Sequence, residues 1–588
     1  MKILEANITN KVHNYLKDVL MNIVSLEMAN KIIFDFSGIT SFFDNSNEFQ
    51  NMKEIFSLEE NIHEVPDRTQ YGDFQTNTNL AEKIVLDLVL KNITPEILIE
   101  PTCGKGNFII ASLNNFQYLK KVYGIEIYKP YIWETKFHII NFYIENHREN
   151  KPEITISHCN VFDFDFKNIA KKNQNNEILV LGNPPWVTNA KLGSLSSLNL
   201  PKKTNFKNHS GLDAMTGKGN FDIAESITAK MLDAFQNMKG HLLLIVKNSV
   251  IKNIIFDQKI AQHKISSIEN IRIDSKKEFN VSVEASLFFC QLNSKPQFIC
   301  KEYDFYLKGE HYLKFGWIGD KFVSDIDNYA LVKSIDGESP FIWRQGLKHD
   351  CSAIMELDKV DGYYTNGINE KVNLEDDLVY GFLKSSDLKN TVINRSRKFT
   401  IVTQRKVGQE TAYIKSSYPK TYQYLNDHKK SFDSRKSSIY KNKPTFSIFG
   451  IGDYSFKPYK VAISGLYKTF HFTLVLPQDN KPVMLDDTCY LLGFDKIEFA
   501  IFALILLNSD MAMQFLQSVT FADAKRRFTK DVLMRIDLLE VAKILPKKYL
   551  ETELSKINSK YELDINLLTW NDFIEEMTPV NFRQTELF

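Results

Sequence analysis

Short, unbroken apolar runs recur between Ile84 and Leu292: Ile97-Leu98-Ile99, Val122-Tyr123-Gly124-Ile125, Ile178-Leu179-Val180-Leu181, Leu242-Leu243-Leu244-Ile245-Val246 and Ala285-Ser286-Leu287-Phe288-Phe289. Runs of this length without polar alternation fit strands buried on both faces, and the segments between them fit helices. Their alternation predicts a doubly wound, Rossmann-like α/β domain over residues 65–325. Ahead of it, residues 1–64 carry a helical pattern and no motif, and are expected to form a helical cap on that domain. Beyond Tyr329 the pattern loosens into irregular segments rich in Tyr, Lys, Ser and Asn, such as "SSDLKNTVINRSRKFTIVTQRKVGQ". A mixed α+β domain is expected over residues 329–588, with the boundary between Asp325 and Asn328. Late in the chain an apolar helical stretch, Ile497 to Leu516, leads into basic Lys525-Arg526-Arg527.

Two of the strands end in punctuation that sets them apart. The first runs into Glu100-Pro101-Thr102-Cys103-Gly104-Lys105-Gly106-Asn107-Phe108 before a helical pattern begins. This is the strand, glycine turn, helix order in which backbone passes close to a nucleotide-type ligand. Gly217-Lys218-Gly219-Asn220-Phe221 repeats the same letters but follows a polar loop, so it carries no such expectation. Glu126, 20 positions past Gly106 at the end of the next strand, is placed to accept both hydroxyls of a ribose. There is no third glycine and no GxxxxGK[ST], which argues for adenosine without a pyrophosphate.

The second is "EILVLGNPPWVTNAKLG", in which a strand runs into Asn183-Pro184-Pro185-Trp186. Two prolines fix φ and donate no hydrogen bond, so they end the strand as a rigid hook. On it Asn183 offers a side-chain oxygen, Pro184 a backbone carbonyl and Trp186 a flat π-face, a set suited to a planar amine. The same letters also suit an ordinary strand-ending turn.

With 588 residues, the chain is long enough for two or three domains. Its net charge of +1 leaves any polyanion to be held by a local basic groove rather than by the field of the whole molecule. The six cysteines show no CxxC spacing, which excludes the usual zinc and disulfide frameworks, and no metal site is expected. No apolar run reaches membrane-spanning length and the N-terminus lacks a signal-like core, so no membrane contact and a cytoplasmic location are expected.

In order and spacing, Glu100 to Phe108, Glu126, Asp163 in "CNVFDFDF" and Asn183-Pro184-Pro185-Trp186 resemble the S-adenosylmethionine-dependent amino-methyltransferases, and among them the DNA adenine-N6 methyltransferases of restriction-modification systems (EC 2.1.1.72). Tyr71-Gly72-Asp73-Phe74-Gln75-Thr76-Asn77 is similar to that family's segment around the methionine end of the cofactor, although it departs from the commoner Phe-Thr-Pro wording. The resemblance covers Tyr71 to Leu292 and, in layout, a following target-recognition domain. It implies that Glu126 holds the ribose, Asp163 the adenine amino group, and Gly104 and Gly106 the close backbone approach. Thr76, Glu100, Thr102, Asn107, Phe108, Ile127 and Asn183 complete the implied cofactor contacts. Asn183, Pro184, Pro185 and Trp186 become the catalytic hook, with Trp186 and Phe279 enclosing a flipped-out base.

Asp163 equally suits a turn or a helix N-cap, and Phe279 the start of a core strand. Double-stranded DNA is the implied partner, with a separate restriction endonuclease beside it. An RNA adenine or a protein glutamine amide as substrate, or a non-catalytic specificity subunit, are the competing readings. The insert from Val187 to Gly219, with Lys202-Lys203, Lys207 and His209, is expected to order on DNA or to serve as a linker. Arg395, Arg397, Gln404, Arg405, Lys406 and Arg435-Lys436 are the expected base-reading and phosphate-holding residues.

Overall fold

The computed structural model describes residues 8–57, 74–148, 151–186, 222–307, 309, 311–466, 470–521 and 528–578. Tyr71 to Asp73, the insert, Gly217 to Phe221 and Lys525 to Arg527 lie outside the described residues. Contacts divide the chain into two compact units, Met1–Phe322 and Val323–Phe588, a division a few residues before the boundary expected from composition.

The first unit opens with α1 (Asn10–Met21), α2 (Leu26–Ser37) and α3 (Ser46–Ser57). Then come α4 (Thr78–Leu90), β1 (Ile97–Glu100), α5 (Asn107–Asn115), β2 (Lys121–Glu126), α6 (Lys129–Glu145), β3 (Glu153–His158), α7 (Phe166–Lys172) and β4 (Ile178–Gly182). After the insert follow α8 (Ile223–Phe235), β5 (Gly240–Lys247), α9 (Asn248–Ala261), β6 (Ser266–Arg272), α10 (Ser275–Phe279), β7 (Ala285–Gln291), β8 (Ile299–Asp304), β9 (Leu313–Ile318) and β10 (Lys321–Val323).

All ten strands join one sheet in the order β10-β9-β8-β6-β7-β5-β4-β1-β2-β3. β3, β2, β1, β4 and β5 are parallel, while β7 runs antiparallel between β5 and β6. The central β1 and β4 are buried at every residue, which is why their sequences are apolar throughout rather than alternating. From β1 the chain winds out to β2 and β3 and then returns to β4 on the other side of β1. That reversal opens a crevice beyond the carboxyl ends of β1 and β4, where open α/β sheets take their ligands.

The described residues 8–57 are tied to the edge of the sheet. Gly38 ends α2 at φ +76, Ile39 forms a parallel bridge with Ile154 of β3, and Ile154 N donates to Gly38 O at 2.8 Å. A Cβ at Gly38 would stand 2.2 Å from Pro152 O, so only glycine allows this approach. Lys136 of α6, 0% exposed, donates to Ser41 O and Phe42 O and fixes the segment from beneath.

The second unit is more regular than its composition suggests. One sheet orders Arg344–Gln345, Cys489–Phe494, Tyr459–Ser464, Thr473–Val475 and Val392–Ile393. The other orders Lys371–Val372, Tyr363–Asn366, Glu356–Val360, Lys398–Ile401, Val379–Leu383 and Met484–Leu485. Strands this short carry no readable periodicity, so the expected irregular segments are in fact paired. The apolar stretch forms two helices, Ile497–Leu507 and Asp510–Val519, bent by 60°. Phe499 to Leu507 are buried as the core helix of this unit. Among the described residues no single helix is long and apolar enough to cross a membrane, although this bent pair passes the test of length and composition together.

Candidate active site at the carboxyl edge of the sheet

The glycine turn follows β1 as expected and is tied on three sides. Gly104 sits at φ +51 and Gly106 at φ +78, conformations that a side chain resists. A Cβ on Gly104 would meet Gln75 Oε1 at 2.3 Å, and one on Gly106 would meet Thr135 Cγ2 at 2.7 Å. Gly104 N donates to Glu126 Oε2 at 2.9 Å and Thr135 Oγ1 donates to Gly104 O at 2.8 Å. Glu126, at the end of β2, also accepts from Tyr128 N at 2.7 Å through Oε1.

Glu100 closes β1 fully buried. Burial first, and then the charge of Glu126, push its carboxyl well above the usual range, while the Ile109 backbone N–H at the start of α5 pulls the other way. Among the described residues its Oε2 has no hydrogen-bond partner.

One strand over, the β4 ladder ends at Gly182 opposite Leu244, so strand pairing stops just before the hook. Asn183 Nδ2 donates to Phe74 O at 2.7 Å and lies 3.2 Å from Thr76 Oγ1. A backbone carbonyl can only accept, so Phe74 O fixes which end of the amide is nitrogen. Asn183 Oδ1 is thereby turned away from both partners, buried, and without a donor among the described residues. Thr102 Oγ1 reaches Asn183 O at 3.5 Å.

The short segment Phe74 to Asn77 links hook and turn. Thr76 O accepts from Asn107 Nδ2 at 2.7 Å, Gln75 Oε1 accepts from Lys105 N at 3.2 Å, and Asn77 caps α4 through Leu80 N. The departure from Phe-Thr-Pro wording leaves this strap intact, because Thr76 and Asn77 supply the polar contacts.

The aromatic residues at the hook pack on one another. Trp186 is 6% exposed, its Nε1 donates to Ile245 O at 3.2 Å, and the rings of Phe74 and Phe279 stand 5.4 and 4.9 Å from it. It is a packed ring, not an open plate. Phe279 is half-buried at the end of α10 rather than at the start of a strand. Phe108 is buried inside α5, and Ile127 is exposed with its carbonyl accepting from His158 Nε2 at 3.1 Å. Asp163 is exposed in the turn after β3, and Asp165, not Asp163, caps α7 through Asn168 N at 3.1 Å.

Two expected base-reading residues prove to be internal braces. Gln404 is 1% exposed and Oε1 accepts from Ile448 N at 2.8 Å. Arg435 donates to the carbonyls of His349, Phe432, Thr445 and Ser447. Neither could be distinguished from an exposed reader by residue type, since their partners lie elsewhere in the chain.

Among the described residues, two buried oxygens, on Glu100 and Asn183, thus stand without donors at the ends of the paired strands β1 and β4, beside the glycine turn. Of these, Glu100, with Glu126 beside it, fits S-adenosylmethionine, whose ammonium and ribose hydroxyls are donors. The strand order, with a single reversed β7 between β5 and β6, is that of the Rossmann-like S-adenosylmethionine-dependent methyltransferases, and this chain is one of them. No family model matches it. It is 39% identical over 490 residues to the type II methyltransferase M.NspV of Nostoc sp., an alignment that spans 82% of this chain and 100% of the relative. The chain belongs to the type II methyltransferases, the DNA-modifying enzymes of restriction-modification systems.

Solved structures with similarity include the type IIL restriction-modification enzyme MmeI in complex with DNA, at 12% identity and TM-score 0.48, covering 96% of this chain and 81% of that one. The type IIG restriction endonuclease BpuSI is similar at 12% identity and TM-score 0.36, covering 96% and 76%.

Proposed function

We propose that the chain methylates N6 of an adenine swung out of double-stranded DNA, the activity of EC 2.1.1.72. The observation that carries this reading is Asn183 Oδ1, a buried acceptor without a donor among the described residues, whose amide is locked at its other end. Leaving such a group unpaired costs about 1–3 kcal/mol, a cost relieved when an N–H arrives. An exocyclic amine brings two, one for Asn183 Oδ1 and one for the Pro184 carbonyl.

The adenine nitrogen is a poor nucleophile because its lone pair is delocalised into the ring. Two fixed acceptors favour the pyramidal nitrogen and stabilise positive charge as it develops, which is electrostatic preorganisation without a covalent intermediate. S-adenosylmethionine, when bound, supplies the methyl group from its sulfonium. Glu126 accepts from the ribose, Gly104 and Gly106 give it room, and Asp163 takes the adenine amino group.

A base inside the duplex cannot reach Asn183, so it must flip out. It stacks on Trp186 once Phe279, carried by the five-residue α10, gives way or turns to its other face. Unit Val323–Phe588 chooses the sequence. A separate endonuclease with the same target completes the system in the cytoplasm.

The test is base-resolved sequencing of host DNA with and without the gene. N6-methyladenine in a single sequence context is expected with the wild type and its absence with Asn183→Ala, which should lose about 10²–10³ in turnover yet bind S-adenosylmethionine normally. Modification of cytosine, or of RNA only, would overturn the assignment.

A further inference from the structure

Immediately after the strand Lys398–Ile401 the second unit builds a small loop whose bracing exceeds what a connector needs. Thr403 Oγ1 donates to Phe446 O at 2.6 Å and Tyr413 OH donates to Thr403 O at 3.1 Å. Gln404 spends both ends of its amide internally, accepting from Ile448 N and donating to Gln409 O. Gln409 Oε1 in turn accepts from Arg405 N at 2.7 Å. The tip stands clear of the unit: Gly408 adopts φ +82 with nothing within 4 Å of a Cβ built on it, and Val407 is 47% exposed. Residues on a loop held by a rigid scaffold are well placed for binding.

What this frame presents is Arg405. Its guanidinium lies 4.1 Å from the centroid of the Phe456 ring, and among the described residues no carboxylate pairs with it. Three other basic side chains of this unit are engaged. Arg397 pairs with Asp387, Lys398 with Asp358, and Arg435 is spent on four backbone carbonyls and the Tyr440 ring at 3.7 Å. An arginine held by an aromatic face keeps the donors on its edge available in a fixed plane, with little freedom left to lose on binding. That is the geometry needed to meet guanine O6 and N7 together, a pairing that a lysine, with its point charge, does not reproduce. Lys406, adjacent and exposed, has no such frame and suits a phosphate.

The geometry points to Arg405 as a residue that reads a guanine in the DNA target, with Gln404 and Gln409 as the residues that position it. This deepens, and rests on, the proposal that the substrate is double-stranded DNA.

The experiment takes the full-length protein. The wild-type target is read from methylated DNA, and methyl transfer is then measured on duplexes in which each base pair of that target is replaced in turn. Arg405→Ala is expected to lose roughly 5- to 150-fold discrimination at one G·C pair and to keep it at the others, with S-adenosylmethionine affinity unchanged. Arg405→Lys should lose discrimination at the same pair. Gln404→Ala should weaken it there in part, a position-specific effect that general loosening of the fold does not produce. Lys406→Ala should slow all sequences alike and lower the salt slope by about 1. Discrimination in Arg405→Ala that is unchanged at every pair, or reduced equally at all of them, overturns the assignment of Arg405. If instead the wild type methylates no adenine in duplex DNA, the substrate reading itself falls, and the readout by Arg405 with it.

Discussion

Both oxygens of Glu126 accept a backbone N–H, from Gly104 and from Tyr128. The carboxylate holds the glycine turn in shape, and in the proposed function it also accepts from a ribose. Glu126→Ala removes both, and we expect S-adenosylmethionine to bind about 1.5–3 kcal/mol more weakly, whereas Glu126→Gln, which keeps one acceptor, should fall between that variant and the wild type. Calorimetry checks the order, and equal affinities for all three proteins would remove Glu126 from the site. Asn183 and Glu126 were legible from motif and spacing. That Asn183 Oδ1 is an acceptor without a donor was not, because it depends on Phe74 and Thr76, more than a hundred positions earlier.

Among the elements, the five apolar runs all became strands, since complete burial of β1 and β4 leaves an unmistakable trace in sequence. Elements stabilised mainly by their neighbours left none. The two-residue strands of the second unit have no period to detect, and β8 to β10 extend the sheet beyond the last run that the pattern identified. The N-terminal helices were readable as helices but not as part of the sheet's edge. The lysine beneath them gives that joint a pH dependence. Burial lowers Lys136 to about 8 from 10.5, with Asp44 opposing the shift. Between those two values the unfolded chain binds the extra proton, so the contribution of Lys136 to stability is fully present above pH 10.5 and is lost as pH falls through about 8. Relative to Lys136→Met, the wild type should gain up to about 1.4 kcal/mol per pH unit across that window. Denaturant titrations at several pH values measure the difference, and a gap independent of pH would show that the lysine does not titrate there.

For the whole molecule, every candidate cofactor and hook residue lies in Met1–Phe322, and the expected base readers lie in Val323–Phe588. A fragment ending after Val323, which keeps all of β10, is expected to bind S-adenosylmethionine and to lose sequence preference. The same preference in the fragment and the full chain would place recognition in the first unit. The order in which this unit is made has its own consequence. Thr40 contacts Ile154 across a separation of 114 residues, and Phe42 and Phe43 rest against Trp133. At synthesis rates of about 5–20 residues per second, the ribosome delivers Ile154 roughly 6–23 s after Thr40. For that interval the segment between the second and third helices leaves the exit tunnel without β3 to pair with, and any pause in translation before β3 lengthens the time in which another nascent chain, or a chaperone, reaches it first.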